Sequence, residues 1–198
     1  MRMIYLLLPA FWLLTVCVPV SEVFAFNAKK VAKLLKSRMC VSCDLKNADL
    51  KNAEIPGAYL QGAQLQGADL SQANLKKAKL YKSNLSGANL TDAKLSYAKL
   101  EQTNMAGSNL SGAKMDNTYM DQANLGGCNL KGADLQKAYM VGAFLKNANL
   151  SGADLRGATF FGANIIGVDF TDANLEGARW RNGKKCAAGS IGKCIIVD

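Results

Sequence analysis

The chain contains no histidine. That removes the commonest general base and a principal transition-metal ligand. Without it no Ser-His or Cys-His nucleophile pair can be assembled, so the sequence predicts no enzyme and no catalytic, cofactor-binding or metal-ligating residues. Acids are missing from 26–43, where Lys29, Lys30, Lys33, Lys36 and Arg38 give a net +5. The last stretch, 181–198, sets Arg181, Lys184, Lys185 and Lys193 against Asp198 alone, a net +3. Between them, 44–180 is nearly balanced at +1. The total of +9 therefore sits on the two ends, and the overall charge is no argument for nucleic-acid binding along the whole body.

Residues 1–25 read as a targeting segment. Arg2 opens it, an apolar run spans Ile4 to Val18, and Val23-Phe24-Ala25 sets up cleavage after Ala25. Two alternatives stay open. Met3–Val20 is nearly long enough for an uncleaved anchor, and Leu14-Thr15-Val16-Cys17 is a poor match to a lipoprotein signal. The expected destination is the periplasm or the exterior, or a thylakoid lumen in a photosynthetic source.

From 43 onward the dominant feature is a period of five, which suits neither a helix nor a strand. Stepping by five from Leu45 to Trp180 gives 28 positions, all large and apolar. Most are Leu, with Ile55, Met105, Met115, Met120, Met140, Phe160, Ile165, Phe170 and Trp180 as variants. Two residues before each stands a small one, usually Ala. Residues two apart on an extended backbone point the same way, so both face inward and the one between, often Asn or Asp, faces out. The remaining two must turn the chain. Gly fills the second turn position in 14 of the 28 repeats and Asn or Asp in seven more, as a turn with positive φ demands. Gln72, Lys77, Lys82, Tyr97, Gln102 and Gln122 stand there instead, and those corners are expected to avoid positive φ. Four such sides close a coil of twenty residues, and 28 sides make seven coils, stacked roughly 4.8 Å apart into a rod about 34 Å long.

The register A-[DN]-L-x-x resembles that of the pentapeptide-repeat family over 43–182. The resemblance implies an all-β fold, a right-handed quadrilateral β-helix of about seven coils. A short helix and a Cys-Val-Ser-Cys-Asp-Leu stretch precede the repeats, as in exported members of cyanobacteria and thylakoid lumens, most of which have no assigned activity. Some family members mimic DNA and inhibit a topoisomerase. Such mimics carry rows of negative charge, and this near-neutral body with basic ends argues against that role.

The ends of such a stack need covering. Residues 26–42 are expected to form a capping helix from Asn27 to about Met39, with Val31, Leu34 and Leu35 as its apolar stripe. Phe160, Phe170 and Trp180 are expected to plug the last coils, with the tail 183–198 folded over them through Ile195 and Ile196. Export permits disulfides. Cys186–Cys194 is the favoured pair and Cys40–Cys43 the second, while Cys128 occupies a small inward slot as an inert thiol. A redox role for the Cys40/Cys43 motif lacks a surrounding βαβ pattern. Haem attachment lacks the following histidine, and a four-cysteine zinc site would need opposite ends of the rod to meet.

Residues twenty apart stack in rows. The row Asp49, Asp69, Asn89, Asn109, Asn129, Asn149, Asp169 reads as a structural amide ladder. A second surface gathers Tyr59, Lys76, Lys77, Lys79, Tyr81, Lys82, Lys94, Tyr97, Lys99, Lys114, Tyr119 and Tyr139. It is either a solvated face or a binding strip for an anionic polymer, a lipid head group or an acidic protein face. The sequence thus supports a non-catalytic exported scaffold with an unidentified partner and no small-molecule substrate. It does not set an oligomeric state.

Overall fold

The computed structural model describes residues 20–196, with side chains from Ala28 onward. The stretch 1–25, expected to be a targeting segment, lies mostly outside the described residues, as does Cys17. Among the described residues no helix is long and apolar enough to cross a membrane.

The period of five becomes a chain that returns beneath itself every twenty residues. Asp49 bridges Asp69, Asp69 bridges Asn89, and parallel bridges of this spacing continue to Thr159↔Arg179. Each side contributes one bridged residue rather than a continuous strand. The five backbone N–H groups of a repeat are almost fully accounted for. In the repeat around Leu70, Leu70 N donates to Asn89 O (2.7 Å) and Gln72 N to Thr91 O (2.8 Å), both one coil on. Ala73 N closes the corner onto Leu70 O (3.0 Å), and Asn74 N donates back to Ala53 O (2.9 Å). The fifth, Ser71 N, goes to Asp69 Oδ1 (2.9 Å).

That last bond explains the Asn or Asp in the repeat. Its side chain reaches two residues on and satisfies the first corner N–H, an Asx turn. The same bond recurs from Lys51 N to Asp49, Ser111 N to Asn109, Ser151 N to Asn149 and Glu176 N to Asn174. The amide ladder exists as well, from Asn89 Nδ2 to Asp69 Oδ1 and from Asn129 Nδ2 to Asn109 Oδ1, both 3.1 Å.

The inward Leu and Ala form one continuous buried cluster from Leu34 to Cys186. Burying each Leu is worth about 1.5–3 kcal/mol, which holds the stack together. In the Met-rich layer the inward hydroxyls find partners. Thr103 Oγ1 donates to Leu80 O (3.0 Å), Thr118 Oγ1 to Met115 O (2.7 Å), and Ser108 Oγ meets Cys128 Sγ (3.4 Å).

Three sequence expectations are corrected. The corners at Gln72, Lys77, Lys82, Tyr97, Gln102 and Gln122 all have φ between 56° and 61°, so they share the left-handed conformation of the glycine corners. At each of these six corners the second N–H donates to the next coil and the N–H of the following small residue closes the turn, and together these bonds hold the geometry whatever the side chain. Helix α1 (Val20–Ser37) runs through Asn27, so Asn27 does not cap it, and it ends before Met39. Leu34 is buried and Val31 packs against the core, but Leu35 is 46% exposed and leaves the stripe. At the other end Ile195 and Ile196 remain exposed, and Cys186 and Ser190 are the buried tail residues.

The aromatic plug is present. Phe160, Phe170 and Trp180 form a cluster with ring centroids 5.4–6.0 Å apart. Beyond it the tail reverses and runs antiparallel beneath the last coil, bridging Arg179↔Lys185 and Asn174↔Ile191, and then doubles back at Cys186↔Ile196.

Candidate functional site

Stacking at intervals of twenty gathers the Lys/Tyr strip from five successive circuits. Tyr59, Lys79, Lys99, Tyr119 and Tyr139 lie in one row, and Lys94 and Lys114 in the next. Lys76, Lys77 and Tyr97 occupy the corner between these rows, and Tyr81 and Lys82 the following corner. All are exposed except Lys79, which is half-buried. Lys79 Nζ lies 4.0 Å from the Tyr59 ring centroid and Lys82 Nζ 5.0 Å from that of Tyr81. Tyr119 and Tyr139 stack at 5.1 Å with ring planes 3° apart. Lys79 and Lys82 are thus held against aromatic faces, an attraction of about 0.5–1 kcal/mol at exposed sites.

Two features of this surface bear on binding. Among the described residues none of its lysines has a carboxylate within ion-pairing distance, whereas Arg156 and Asp154 pair at 2.6 Å elsewhere. Secondly, Lys and Tyr in the outward position cannot accept the bond that Asn and Asp accept. The first corner N–H groups of Tyr81, Ser96, Glu101 and Asp116 therefore have no protein partner among the described residues. Unpaired ammonium groups and unclaimed N–H donors on one surface make an arrangement suited to anionic oxygens. The Asx role of the outward residue escaped the sequence reading. The signal was present as a carboxamide or carboxylate two residues before each corner donor.

The acidic rows are occupied with structural bonds. Hydrogen bonds from Ser71 hold Asp69 below its ordinary value, and those from Thr171 do the same for Asp169. The Arg156 guanidinium lowers Asp154. Among the described residues no cluster of three or more His, Cys, Asp or Glu could hold a metal ion.

The four paired cysteines lie at the two ends. Cys40–Cys43 has sulfurs 2.09 Å apart beside α1, and Cys186–Cys194 has them 2.01 Å apart in the tail. Cys128 is free and buried, its thiol donating to Met105 O (2.9 Å), and burial pushes its pKa up. Such a thiol is a poor nucleophile.

A further surface went unread in the sequence. Val141, Phe144, Phe161 and Ile166 are exposed on successive circuits of the side that starts at the Val141 and Phe161 corners. Stepping by twenty through the corner positions would have found Val141 and Phe161, with Phe144 on the side between and Ile166 at its far corner.

A search of curated proteins finds no match. Among solved structures, HetL of the cyanobacterium Nostoc sp. strain PCC 7120, described as involved in heterocyst differentiation regulation, is 28% identical. The match covers 74% of this chain and 89% of HetL, with a TM-score of 0.32. A pentapeptide repeat protein of the Arabidopsis thaliana thylakoid lumen is 25% identical over 66% of this chain and 83% of its own, with a TM-score of 0.30. A form of QnrB1, a plasmid-mediated fluoroquinolone resistance protein, is 23% identical over 71% and 73%, with a TM-score of 0.46. The family pattern described as pentapeptide repeats matches eight copies, over 43–80, 83–122, 113–152, 128–165 and 140–179. With its repeats matched over most of its length, the chain belongs to the pentapeptide repeat family, whose members form right-handed β-helices.

Proposed function

We propose that this chain is a non-catalytic, exported interaction scaffold, a four-sided rod of about seven coils that displays its outer rows to a macromolecular partner. The observation that carries this reading is the filled centre. Inward side chains from Leu45 to Leu155 are buried against one another along the whole column, so recognition falls to the surface rows. The two disulfides and the apolar leader support export.

The Lys/Tyr strip favours a second, more specific reading, in which the rod holds an anionic polymer, a lipid head group or an acidic protein face. Its lysines lack carboxylate partners and its corner N–H groups lack acceptors, so an anionic ligand would satisfy both. The test uses the oxidised protein, as processed by its host, as bait in the host's extracytoplasmic extract with cross-linking. A parallel bait carries Lys76→Glu, Lys77→Glu, Lys79→Glu and Lys82→Glu together. A partner caught by the first and lost by the second, with capture falling as salt rises, assigns the strip as the binding surface. A partner retained by both returns the strip to a solvated face and leaves the scaffold reading on the other rows. Failure of both baits to capture any partner would count against the scaffold reading.

A further inference from the structure

Within the repeats, large side chains with no polar atom turn outward at one place. Among the outward positions Phe144 alone lacks a polar side-chain atom. Among the first corner positions only Val141, Phe161 and Ile166 carry a branched aliphatic or phenyl group. All four belong to one side of the rod over two successive circuits. Val141 and Phe161 stand on its leading corner, Phe144 in its middle and Ile166 on its far corner. They are between 37% and 63% exposed. In earlier circuits the same side shows Asp44, Gln64, Asn84, Asn104 and Asn124.

Phe144 also gives up a bond. One circuit before it, Asn124 Oδ1 accepts from Gly126 N (3.1 Å), and one circuit after it, Asn164 Oδ1 accepts from Ile166 N (3.2 Å). A phenyl group cannot accept the corresponding bond from Lys146 N. This repeat therefore loses an Asx turn and leaves apolar surface in water, and both cost stability. An apolar environment against this side would recover the second cost.

The surroundings indicate which environment. Lys146 stands one circuit before Ile166 on the far corner, and Arg181 one circuit after Phe161 on the leading corner. Arg179 lies on the adjoining side. All three are exposed, and among the described residues none has a carboxylate within ion-pairing distance. The adjoining acids are engaged with backbone donors. Asp121 Oδ1 accepts from Val141 N and Asp169 Oδ1 from Thr171 N, both at 2.9 Å. The stacked rings of Tyr119 and Tyr139 border the leading corner. Apolar side chains flanked by tyrosines and cations match the boundary between acyl chains and phosphates. The four apolar groups amount to a few hundred Å², roughly half of what a stable protein interface takes from one partner. A bilayer surface needs no such area or shape fit, because apolar burial and attraction to anionic lipid simply add.

We propose that this side docks the rod on an anionic lipid bilayer. Val141, Phe144, Phe161 and Ile166 enter the interface, and Lys146, Arg179 and Arg181 meet the phosphates. The surface is distinct from the Lys/Tyr strip except at Tyr119 and Tyr139, which border both. The inference rests on the scaffold reading only in that recognition falls to the outside of the rod.

Co-sedimentation with vesicles tests it, using the oxidised protein as processed by its host. The vesicles hold phosphatidylglycerol and phosphatidylcholine in equal parts, or phosphatidylcholine alone. Binding is expected to the first, to be several-fold weaker on the second, and to fall as salt rises. Phe144→Asn and Phe161→Ser install residues that other repeats use at those positions, and circular dichroism checks the fold. Each is expected to weaken partitioning by about tenfold. Arg181→Gln is expected to weaken it by about fivefold, on anionic vesicles only. Lys76→Gln with Lys77→Gln, on the strip, is expected to change it by less than about twofold. Absence of vesicle binding overturns the proposal, as does binding indifferent to both phenylalanine changes; capture of a partner from extract is a separate result, so the scaffold reading survives either. Binding lost in the strip variant and kept in both phenylalanine variants also overturns it, and moves the lipid site to the strip.

Discussion

The middle of the rod, from 72 to 122, and its later part, from 127 to 167, have the same backbone built from different corners. In the middle the second corner residue is Gln72, Lys77, Lys82, Asp92, Tyr97, Gln102, Asn117 or Gln122, and Gly only at 87, 107 and 112. In the later part it is Gly everywhere except Lys137 and Asn147. Yet φ is positive at every one, near 56–61° without glycine and 63–70° with it. The corner conformation therefore belongs to the stack. A non-glycine residue held there costs about 1–2 kcal/mol, and the middle accepts that cost repeatedly where its surface carries the Lys/Tyr strip. The later part spends glycine on its corners and instead exposes Val141, Phe144, Phe161 and Ile166. Strain concentrated at one surface fits a region selected for what it displays.

The largest expected effect probes the cores of the two regions. Leu110→Ala in the Met-lined layer and Leu150→Ala between Leu145 and Leu155 remove equally buried side chains, each at about 2–5 kcal/mol. The flexible Met105 and Met115 should relax into the space around residue 110, so Leu150→Ala is expected to cost more. Denaturant titration of both variants gives the difference, and equal losses would remove the distinction between the layers. A cost below about 1 kcal/mol at either would undo its inward assignment.

The corners give a smaller effect with opposite signs. Lys77→Gly relieves a strained φ and is expected to stabilise by up to about 1 kcal/mol. Gly127→Lys imposes the strain and is expected to destabilise by about 1–2 kcal/mol. A Cβ at 127 meets nothing within 4 Å, so its cost is conformational rather than steric. Melting temperatures that move the same way in both variants would break the claim that the stack imposes the corner.

The smallest effect is in acid. Asp69 has a folded pKa below its ordinary 3.8, through its bonds from Ser71. Its contribution is present above that value and is lost as pH falls through the lower folded value. Thermal melts at falling pH should show the wild type losing stability there and Asp69→Asn losing less, since the amide oxygen still accepts from Ser71 N. Identical acid profiles would mean that this aspartate serves the turn as any asparagine does.

Much of the fold was legible because its period comes from side chains that must be buried. Leu at every fifth position and Ala two residues before it mark the inward column, and the stacked row of Tyr59, Lys79, Lys99, Tyr119 and Tyr139 follows from a circuit of twenty. Both cysteine pairings were readable because opposite ends of a rod cannot meet. The extent of α1 was not, since Asn27 in an apolar-periodic stretch looks like a cap whether or not the helix extends before it. The unclaimed corner N–H groups were also missed. They emerge only when every donor in a repeat is followed to its acceptor.

The sequence by itself determined which residues lie inside, which rows lie outside and how far apart stacked neighbours fall in the chain. Those features repeat locally, and one missed step would expose every later leucine. The tertiary structure alone decided two others. It put Lys77 and Tyr97 in a conformation their own preferences oppose, because the bond from each corner N–H to the next coil outweighs local strain. It also turned the tail back beneath only half of the last circuit, leaving Ile165 and Phe170 at an open edge. That choice depends on long-range pairing between the last coil and a segment with no repeat of its own.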